Sequence, residues 1–340
     1  MLVIRPAELA DVEDLYALAL KAGKGLTSLP PDRETLAAKV TLSTESFARS
    51  QNHVDDYFLL VMSDTAKSRV VGTAAVYGTT GTRQAFYAYR LMSVTHHSHS
   101  LDKQIRAEML HLSNDYTDCA EVGTLFLDPD YRGNGHWLSR SRYLLMGQHS
   151  HRFQPYVIAE MRGWLNEQGI SPFWEAIGRQ FFDMSFEEAD RLCGIGSNQF
   201  ITELMPKHPI YTCMLADSAQ RVLGKPHVDT VRAVELLEAE GFEYDKMIDI
   251  FDGGPILRAK VANLHSVKAT AHRKVRVDAE LDDSSKPIYM LANSSLESFR
   301  VVCEPAVLQD STATITPSIA TQLNIASGDE IHLLDTGKTS

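Results

Sequence analysis

Hydrophobic residues near the N-terminus follow first a strand pattern and then a helix pattern. Leu2-Val3-Ile4-Arg5-Pro6 predicts a short strand. Asp11 is suited to begin a helix, and Gly23 is suited to end it. The buried face predicted for this helix carries Val12, Leu15, Tyr16 and Ala19. A second helix is predicted after Pro31, from residues at helical spacing at Leu36, Val40, Ser43 and Phe47.

The middle of the chain alternates between strand-like and helix-like segments. Strands rich in β-branched and aromatic residues are predicted at Tyr57–Met62, Val70–Tyr77 and Phe86–Val94. Another apolar strand, Val122–Leu127, is stopped by Asp128-Pro129-Asp130, and a helix is predicted from about Trp137. A strand at Tyr156–Met161 follows. The later helices are predicted at Pro172–Phe182, Phe186–Cys193, Asp217–Leu223 and Thr230–Glu240.

The C-terminal part of the chain has a different pattern, with short strands and polar turns. After Gly241 a strand leads to Asp249, and the following Gly253-Gly254-Pro255 marks a boundary. Short strands are then predicted at Lys274–Val277, Ile288–Ala292, Phe299–Cys303 and Glu330–Leu334. We therefore divide the chain into a large domain, residues 1–255, and a small β-rich domain, residues 256–340. The small domain is expected to bury an edge of the large one or to make a subunit contact.

Two helices share a faint similarity, since each has a glycine near its end followed by phenylalanine. These are the helices with Gly178 and Phe181 and with Gly241 and Phe242. Two related half-units in the large domain would produce this similarity. Ordinary helix termination by glycine produces it as well.

Composition and charge narrow the classes of protein that this chain can belong to. Of its 340 residues, 44% are hydrophobic and 23% are charged, as in an ordinary globular protein. A net charge of −11 argues against general nucleic-acid binding and suits a cationic substrate. The sequence has neither an apolar run of about 20 residues, as a membrane span requires, nor a signal-peptide pattern at its start. We therefore expect a cytoplasmic protein that does not bind membranes.

The cysteines do not follow any metal or redox motif. They are widely spaced, with neither a C-x-x-C pair nor a zinc pattern, at Cys119, Cys193, Cys213 and Cys303. We expect them to be reduced and mostly buried, and we expect no metal site.

The segment Leu125–Gly135 combines a strand end, a glycine-containing turn and a helix start. Free N–H groups and the helix dipole favour an anion at such a helix start, and glycine lets the backbone approach it closely. Arg132, Arg140 and Arg142 add positive charge nearby. The segment is neither a P-loop nor a dinucleotide-binding G-x-G-x-x-G. On the residues alone, phosphate binding and a plain strand–turn–helix connection are equal alternatives.

The order of elements and the Arg132-Gly133-Asn134-Gly135 turn resemble the acyl-CoA-binding region of the GNAT acyltransferases, and Ala233–Phe242 resembles the helix that typically follows. Trp137 departs from the small residue usual near that place. Several longer blocks resemble arginine N-succinyltransferases more narrowly: Gly25–Pro30, Leu125–Arg132, Ala159–Gly163, Ser171–Phe182, Glu203–Tyr211 and Ile248–Pro255. The implied fold is α/β, with a GNAT-like mixed, mostly antiparallel sheet flanked by helices and followed by the β-rich domain.

The resemblance implies transfer of a succinyl group from succinyl-CoA to the α-amine of arginine, the first step of arginine catabolism by the succinyltransferase pathway. Succinyl-CoA is then a co-substrate, and no permanently bound cofactor is expected. The residue matching Leu125 is associated with succinyl-CoA, and the histidine matching His227 with proton donation. The turn residues Arg132, Gly133, Asn134 and Gly135 are assigned to acyl-CoA binding.

The reaction itself requires a deprotonated amine, a stabilised oxyanion and a proton for the departing thiolate. Histidine can supply that proton near neutral pH, but only the resemblance singles out His227 among 13 histidines. The carboxylates proposed for the guanidinium of arginine are Glu160, Glu203, Asp249 and Asp252. Arg90 or Arg162 is proposed for the succinyl carboxylate, and Tyr211 as an auxiliary acid. An ordinary structural role is the alternative for each of them.

Two other functions remain open at this point. The chain would also fit an arginine/ornithine succinyltransferase subunit, acting as a homo-oligomer or in a hetero-oligomer with a related chain. It would fit a non-catalytic CoA-binding regulatory subunit too, although His227 and the turn at 132–135 argue against this.

Overall fold

A computed structural model describes residues 1–23, 26–82, 85–194, 199–281 and 285–339, without the side chains of residues 190, 191, 193, 194 and 339. Gly25 of the Gly25–Pro30 block and the Cys193 side chain lie outside this description. The chain forms two compact units. The first comprises Met1–Gly78, Val122–Pro155 and Lys260–Ser340, and the second comprises Thr79–Glu121 and Tyr156–Ala259. Each unit is made of segments that are separate in the sequence, and the division of the chain into domains at residues 1–255 and 256–340 stays a prediction.

Both units of the described chain combine strands with helices. They are β1 Leu2–Pro6, β2 Tyr57–Asp64, β3 Arg69–Tyr77, β4 Ala88–Ser98, β5 Lys103–Ser113, β6 Ala120–Leu127, β7 Tyr156–Glu160, β8 Ile210–Tyr211, β9 Glu243–Ile248, β10 Pro255–Lys260, β11 Ala271–Val277, β12 Pro287–Asn293, β13 Val301–Pro305, β14 Val307–Gln309, β15 Thr312–Ile315 and β16 Glu330–Thr339. The α-helices are α1 Val12–Ala22, α2 Arg33–Ala48, α3 Gly135–Gln148, α4 Pro172–Ala176, α5 Gly178–Phe182, α6 Phe186–Gly194, α7 Gln199–Leu204, α8 Asp217–Gln220, α9 Val231–Glu240, α10 His265–Ala269 and α11 Pro317–Leu323.

In the first unit the strands lie in the order β14-β15-β11-β16-β12-β13-β1-β2-β3-β6. Strand β1 pairs on one side with β2 and on the other with β13, where Val3 is opposite Val302. Val3 and Val302 belong to a buried cluster with Leu291, Ile331 and other apolar side chains of the C-terminal segment. The C-terminal segment is therefore built onto the N-terminal strand and covers its edge.

In the second unit the order is β6-β7-β10-β9-β4-β5-β8, and only the first two residues of β6 belong to this unit. Its core centres on the aromatic side chain of Trp174, which is fully buried and stacks on Phe182 and Phe251. Gly178 lies against this ring, since a Cβ there would come within 2.2 Å of Trp174. This contact explains why a glycine follows the tryptophan by one helical turn.

The predicted fold class is confirmed, since the sheets are mostly antiparallel, helices pack on them, and the C-terminal part is rich in strands. Of the pairings described, β6–β7 and β11–β15 are parallel. The predicted helix Pro172–Phe182 is instead two short helices, because Ile177 leaves the helical conformation. The sequence does not predict strand β5, because its first four residues are exposed and mostly polar or charged and give no apolar run.

Two absences can be stated for the described residues. Within them, no helix is long and apolar enough to cross a membrane, and no three or more histidine, cysteine or acidic side chains are grouped as metal ligands would be. Of the cysteines predicted to be mostly buried, Cys119 is buried and Cys303 is half-buried, but Cys213 is exposed. These three carry free thiols.

Candidate active site

The turn between β6 and α3 is fixed by a buried carboxylate at its start. Asp128 Oδ2 lies 2.6 Å from Lys21 Nζ and 2.9 Å from Arg69 Nη2, and the Asp128 N–H donates to the carbonyl of Val71 at 2.8 Å. Lys21 is the first of the influences that lower the pKa of Asp128. The carboxylate therefore stays charged and fixes the end of β6 to the first unit.

The helix start itself is open to an anion. Gly133 has φ +98°, a conformation that L side chains rarely adopt, and a Cβ there would meet no neighbour. Asn134 precedes α3, but its side chain donates to the carbonyl of Tyr131 at 3.0 Å and does not cap the helix N–H groups. The backbone N–H groups in the first turn of α3 are therefore not capped by the Asn134 side chain. A cavity lined in part by Asn134, Trp137 and Lys338 lies beside it.

Strand β6 is distorted just before Leu125. Thr124 has φ +53°, in the left-handed region, and its side chain is buried, with the Oγ1 atom lacking a hydrogen-bond partner among the described residues. A β-branched residue in this conformation is strained, and such strain is concentrated at functional sites. The next residue, Leu125, is 37% exposed. The strand is distorted at this point, so that the buried hydroxyl of Thr124 is followed directly by the exposed residue Leu125.

The helix that follows buries a charged side chain next to this distortion. Arg142 of α3 is only 2% exposed. Its guanidinium donates to the Ser139 hydroxyl at 2.8 Å, to the Ser139 carbonyl at 3.2 Å and to the Gly123 carbonyl at 3.3 Å. Burial is the largest influence on Arg142 and lowers its pKa.

In the second unit, the end of β7 is held by two close backbone approaches. The N–H of Met161 donates to the carbonyl of Pro255 at 3.1 Å, and the N–H of Gly163 donates to Asp252 Oδ2 at 2.6 Å. A Cβ on Gly163 would come within 2.5 Å of the Asp252 carbonyl, and one on Gly254 within 2.1 Å of the Met161 carbonyl. Both positions therefore require glycine, which explains the glycine at 163 in the block Ala159–Gly163 and the glycine at 254 in the block Ile248–Pro255.

The loop that carries His227 is tied to the same segment. The N–H of Gly224 donates to the Gly253 carbonyl at 2.9 Å, Pro226 forms a β-bridge with Gly163, and the N–H of His227 donates to the Arg162 carbonyl at 2.7 Å. These three ties hold the backbone of the loop in place.

The ring of His227 has a defined orientation. Its Nδ1 accepts a hydrogen bond from the N–H of Asp229 at 3.2 Å, so the neutral ring carries its proton on Nε2. The side chain is 17% exposed. An N–H group at Nε2 is therefore available to a ligand, and the Asp229 carboxylate, 3.4 Å from Nδ1, can pair with a protonated ring.

Carboxylates crowd together beside this loop. Glu160 is exposed, but loss of hydration, followed by the negative charges of Glu121, Asp249 and Asp252, raises the pKa of its carboxyl group above its usual range. Burial, followed by the charge of Asp252, raises the pKa of Asp249 to about 8. Burial also raises the pKa of Asp252, against the N–H groups of Gly163 and Gly254, which favour its charged form. A cation placed here would relieve the repulsion.

The structure brings together some of the predicted site residues and leaves others apart. Glu160, Asp249 and Asp252 form the group just described, which we call the acidic cluster, and the charge of Arg162 acts on Asp252. Glu203 is exposed, accepts a hydrogen bond from Gln199 and is not among the groups acting on Glu160. Arg90 lies 3.2 Å from both Asp115 and Asp245. Tyr211 is half-buried in β8. The roles predicted for these residues stay predictions.

Comparison with known proteins identifies the family. The model of the family described as arginine N-succinyltransferase beta subunit matches residues 2–266, and that of its C-terminal domain matches residues 272–335. The chain belongs to the arginine N-succinyltransferase family. The family recognised from sequence blocks is thereby confirmed, and so is the expectation that the chain is an acyltransferase.

Individual relatives of this family match over nearly their whole length. Proteins named arginine N-succinyltransferase from Yersinia pseudotuberculosis and Salmonella newport are 38% and 39% identical, over 98% of this chain and 97% of each relative. A solved structure, arginine/ornithine succinyltransferase subunit AI from Pseudomonas aeruginosa, is 32% identical with a TM-score of 0.88 over 99% of both chains.

Some residues of the site were missed by reasoning from sequence. Glu121 adds its charge to the acidic cluster, but it lies in an ordinary strand with no motif around it. Arg142 was noted only as a nearby positive charge, although it is buried. It lies in a run of six consecutive buried residues, 141–146, and this burial on all sides of the helix is visible only in the structure.

Proposed function

We propose that this chain transfers a succinyl group from succinyl-CoA to the α-amine of arginine, which gives N2-succinylarginine and CoA. The observation that carries the proposal is the acidic cluster beside the His227 loop. Arginine brings a guanidinium cation. Loss of hydration, followed by the charges of neighbouring carboxylates, raises the pKa values of Glu160 and Asp249, and a cation bound there favours their charged forms and relieves the repulsion between them. Glu160 is the most exposed member of the cluster, and in this proposal it is the first to receive the guanidinium.

The acyl donor is bound, in this proposal, by the strand–turn–helix segment. The N–H groups at the start of α3 receive the phosphates of CoA, beside Arg132, Gly133, Asn134 and Gly135. The N–H of Leu125 polarises the thioester carbonyl, supported by the exposure of Leu125 and by the distortion at Thr124.

His227 supplies the proton that the departing CoA thiolate needs. The protonated ring pairs at Nδ1 with the Asp229 carboxylate and donates from Nε2, and afterwards Nδ1 returns to accepting the Asp229 N–H. The neutral amine attacks the thioester carbonyl, and its nitrogen loses a proton to solvent as the tetrahedral intermediate forms. The intermediate then collapses, and the C–S bond breaks as the thiolate takes the proton of His227. The cytoplasmic location expected from the sequence stays a prediction.

The test is turnover by the purified chain alone, followed as CoA release and as formation of succinylarginine by mass spectrometry. We expect turnover with arginine and succinyl-CoA without any added protein. Binding of succinyl-CoA without turnover would favour a regulatory subunit instead.

A second candidate acceptor is ornithine, because the similar Pseudomonas protein is named an arginine/ornithine succinyltransferase subunit. That name also favours an oligomer, either of this chain or with a related one. Ornithine and arginine differ by an ammonium against a guanidinium, so they are separated by kcat/KM on each acceptor. Light scattering of the purified chain gives the oligomeric state.

A further inference from the structure

We propose that Arg142 binds the distal carboxylate of the succinyl group and so sets the preference for succinyl-CoA over uncharged acyl-CoA. This inference rests on the proposed function, because it names the residue that reads the acyl group. It concerns groups of the first unit alone.

The first observation is that Arg142 is a buried charge whose partners are neutral. Its hydrogen bonds go to the Ser139 hydroxyl and to the carbonyls of Ser139 and Gly123, and the group that acts on its charge is Tyr143. No carboxylate among the described residues pairs with it. Burying a cation without an anion is costly, so a role for an anionic ligand gives the chain a reason to keep it.

Another buried arginine of the same unit shows how this chain pairs such a group when its role is structural. Arg152 has a fully buried side chain and lies 2.8 Å from the carboxylate of Asp56, which is also fully buried. Arg152 donates to the carbonyls of Arg49 and Ser46 as well. The two arginines share burial and backbone carbonyl partners, and they differ in the carboxylate. Among the described residues, no carboxylate neutralises the charge of Arg142, so its guanidinium can pair with the anion of a ligand.

The position of Arg142 links it to the acyl group. Its Nη1 donates to the carbonyl of Gly123, two residues before Leu125, where the family resemblance places succinyl-CoA. That hydrogen bond, at 3.3 Å, is long and goes to a neutral acceptor, so a carboxylate can replace it with a shorter, charge-assisted bond. The hydroxyl of Thr124, between these residues, is buried without a partner among the described residues and can donate to the same carboxylate.

The two arginines first considered for this role have other surroundings. Arg90 lies 3.2 Å from each of two carboxylates, Asp115 and Asp245. The charge of Arg162 acts on Asp252 in the acidic cluster. A planar guanidinium binds a carboxylate with two parallel hydrogen bonds. An arginine that already lies close to carboxylates of the protein has fewer free N–H donors for the carboxylate of a ligand.

The test compares succinyl-CoA with butyryl-CoA, which has an acyl chain of the same number of carbons and no carboxylate. Both kcat/KM and equilibrium binding by calorimetry are measured for wild type, Arg142→Met and Arg142→Lys. We expect Arg142→Met to reduce the succinyl-to-butyryl ratio by about ten- to a hundredfold, with butyryl transfer kept, because one charge-assisted interaction is lost. Arg142→Lys keeps the charge but not the fork, and we expect an intermediate ratio.

Arg142→Met should fold, because replacing an unpaired buried arginine with an apolar side chain of similar volume removes a desolvation cost. Arg33→Met removes an exposed positive charge of the same unit and is the matched control, with an unchanged ratio. If Arg142 only holds the Gly123 carbonyl in place, both thioesters lose rate and affinity together and the ratio stays the same, which overturns the inference. Selective binding of succinyl-CoA by a wild type that does not turn over would overturn the proposed function but support the inference.

Discussion

The two units of the molecule contain ionisable groups of opposite sign in unfavourable surroundings. The first unit buries Arg142 against neutral groups, and the second holds the acidic cluster, where carboxylates repel one another. Each arrangement is unfavourable in the protein alone. The proposed reactants carry the missing charges, since succinyl-CoA is an anion and arginine brings a cation. In each unit these groups therefore lower the free energy of unfolding, and binding of a ligand of the opposite charge is expected to raise it again.

The contrast with properly paired groups in the same units supports this interpretation. In the first unit Arg152 pairs with Asp56, and Asp128 pairs with Lys21 and Arg69. In the second unit Arg90 lies close to two carboxylates. These charges have an opposite charge close by, whereas the partners of Arg142 are neutral and the carboxylates of the acidic cluster act on one another, with Arg162 acting on Asp252.

The largest effect is expected from His227, which we place in the chemical step. His227→Ala should lower kcat by about 10²–10⁴, the range for loss of a general acid, with little change in KM for either substrate. The control is His208→Ala, which changes an exposed histidine of the same unit. Steady-state kinetics on both substrates checks this, and near-normal turnover of His227→Ala would remove the residue from the mechanism.

A smaller effect, confined to one substrate, is expected from the acidic cluster. Glu160→Gln should lower kcat/KM for arginine by about ten- to a hundredfold, because a charge-assisted interaction becomes a neutral one. The KM for succinyl-CoA should stay the same. Glu238→Gln, at an exposed carboxylate of the same unit that does not act on Glu160, is the comparison. An equal loss from both variants would mean that the cluster has no special role.

The raised pKa values of the cluster also predict a pH dependence of binding. The pKa of Asp249 is about 8 in the free protein, and a bound cation favours the charged form and lowers it. Arginine should therefore bind more tightly as the pH rises from about 6 to 8, with release of protons. Calorimetry in buffers of different ionisation enthalpy measures that release. Citrulline, which lacks the guanidinium charge, should release fewer protons, and equal release would contradict the account.

The smallest effect concerns stability of the first unit alone. Burial, followed by the charges of His272 and His149, lowers the pKa of His332 to about 4, and burial lowers that of His149 to about 4 as well. Since the unfolded chain has the ordinary pKa of about 6.5, it binds more protons between these values, and the free energy of unfolding falls as the pH drops from about 6.5 to 4. His332→Gln should flatten that fall in thermal unfolding, whereas His208→Gln should leave it unchanged.

The parts of this account that the sequence predicted are those with local signals. The strand Val122–Leu127 and the turn after it follow from an apolar run and from proline and glycine. Gly254 lies where two backbones come too close for a side chain, and the sequence gives no signal of that approach. The left-handed Thr124 has no local signal, since a β-branched residue favours a regular strand. The burial of Arg142 depends on what packs around α3 and not on its own neighbours in sequence.

The most direct test of the division of charge measures both substrates for both variants in one experiment. For Arg142→Met and Glu160→Gln, kcat/KM is determined for succinyl-CoA against butyryl-CoA and for arginine against citrulline. The account predicts that Arg142→Met lowers the preference for succinyl-CoA and leaves the preference for arginine unchanged, and that Glu160→Gln does the reverse. If each variant lowers both preferences, or if neither variant changes either preference, then Arg142 does not recognise the acyl group and Glu160 does not recognise the guanidinium.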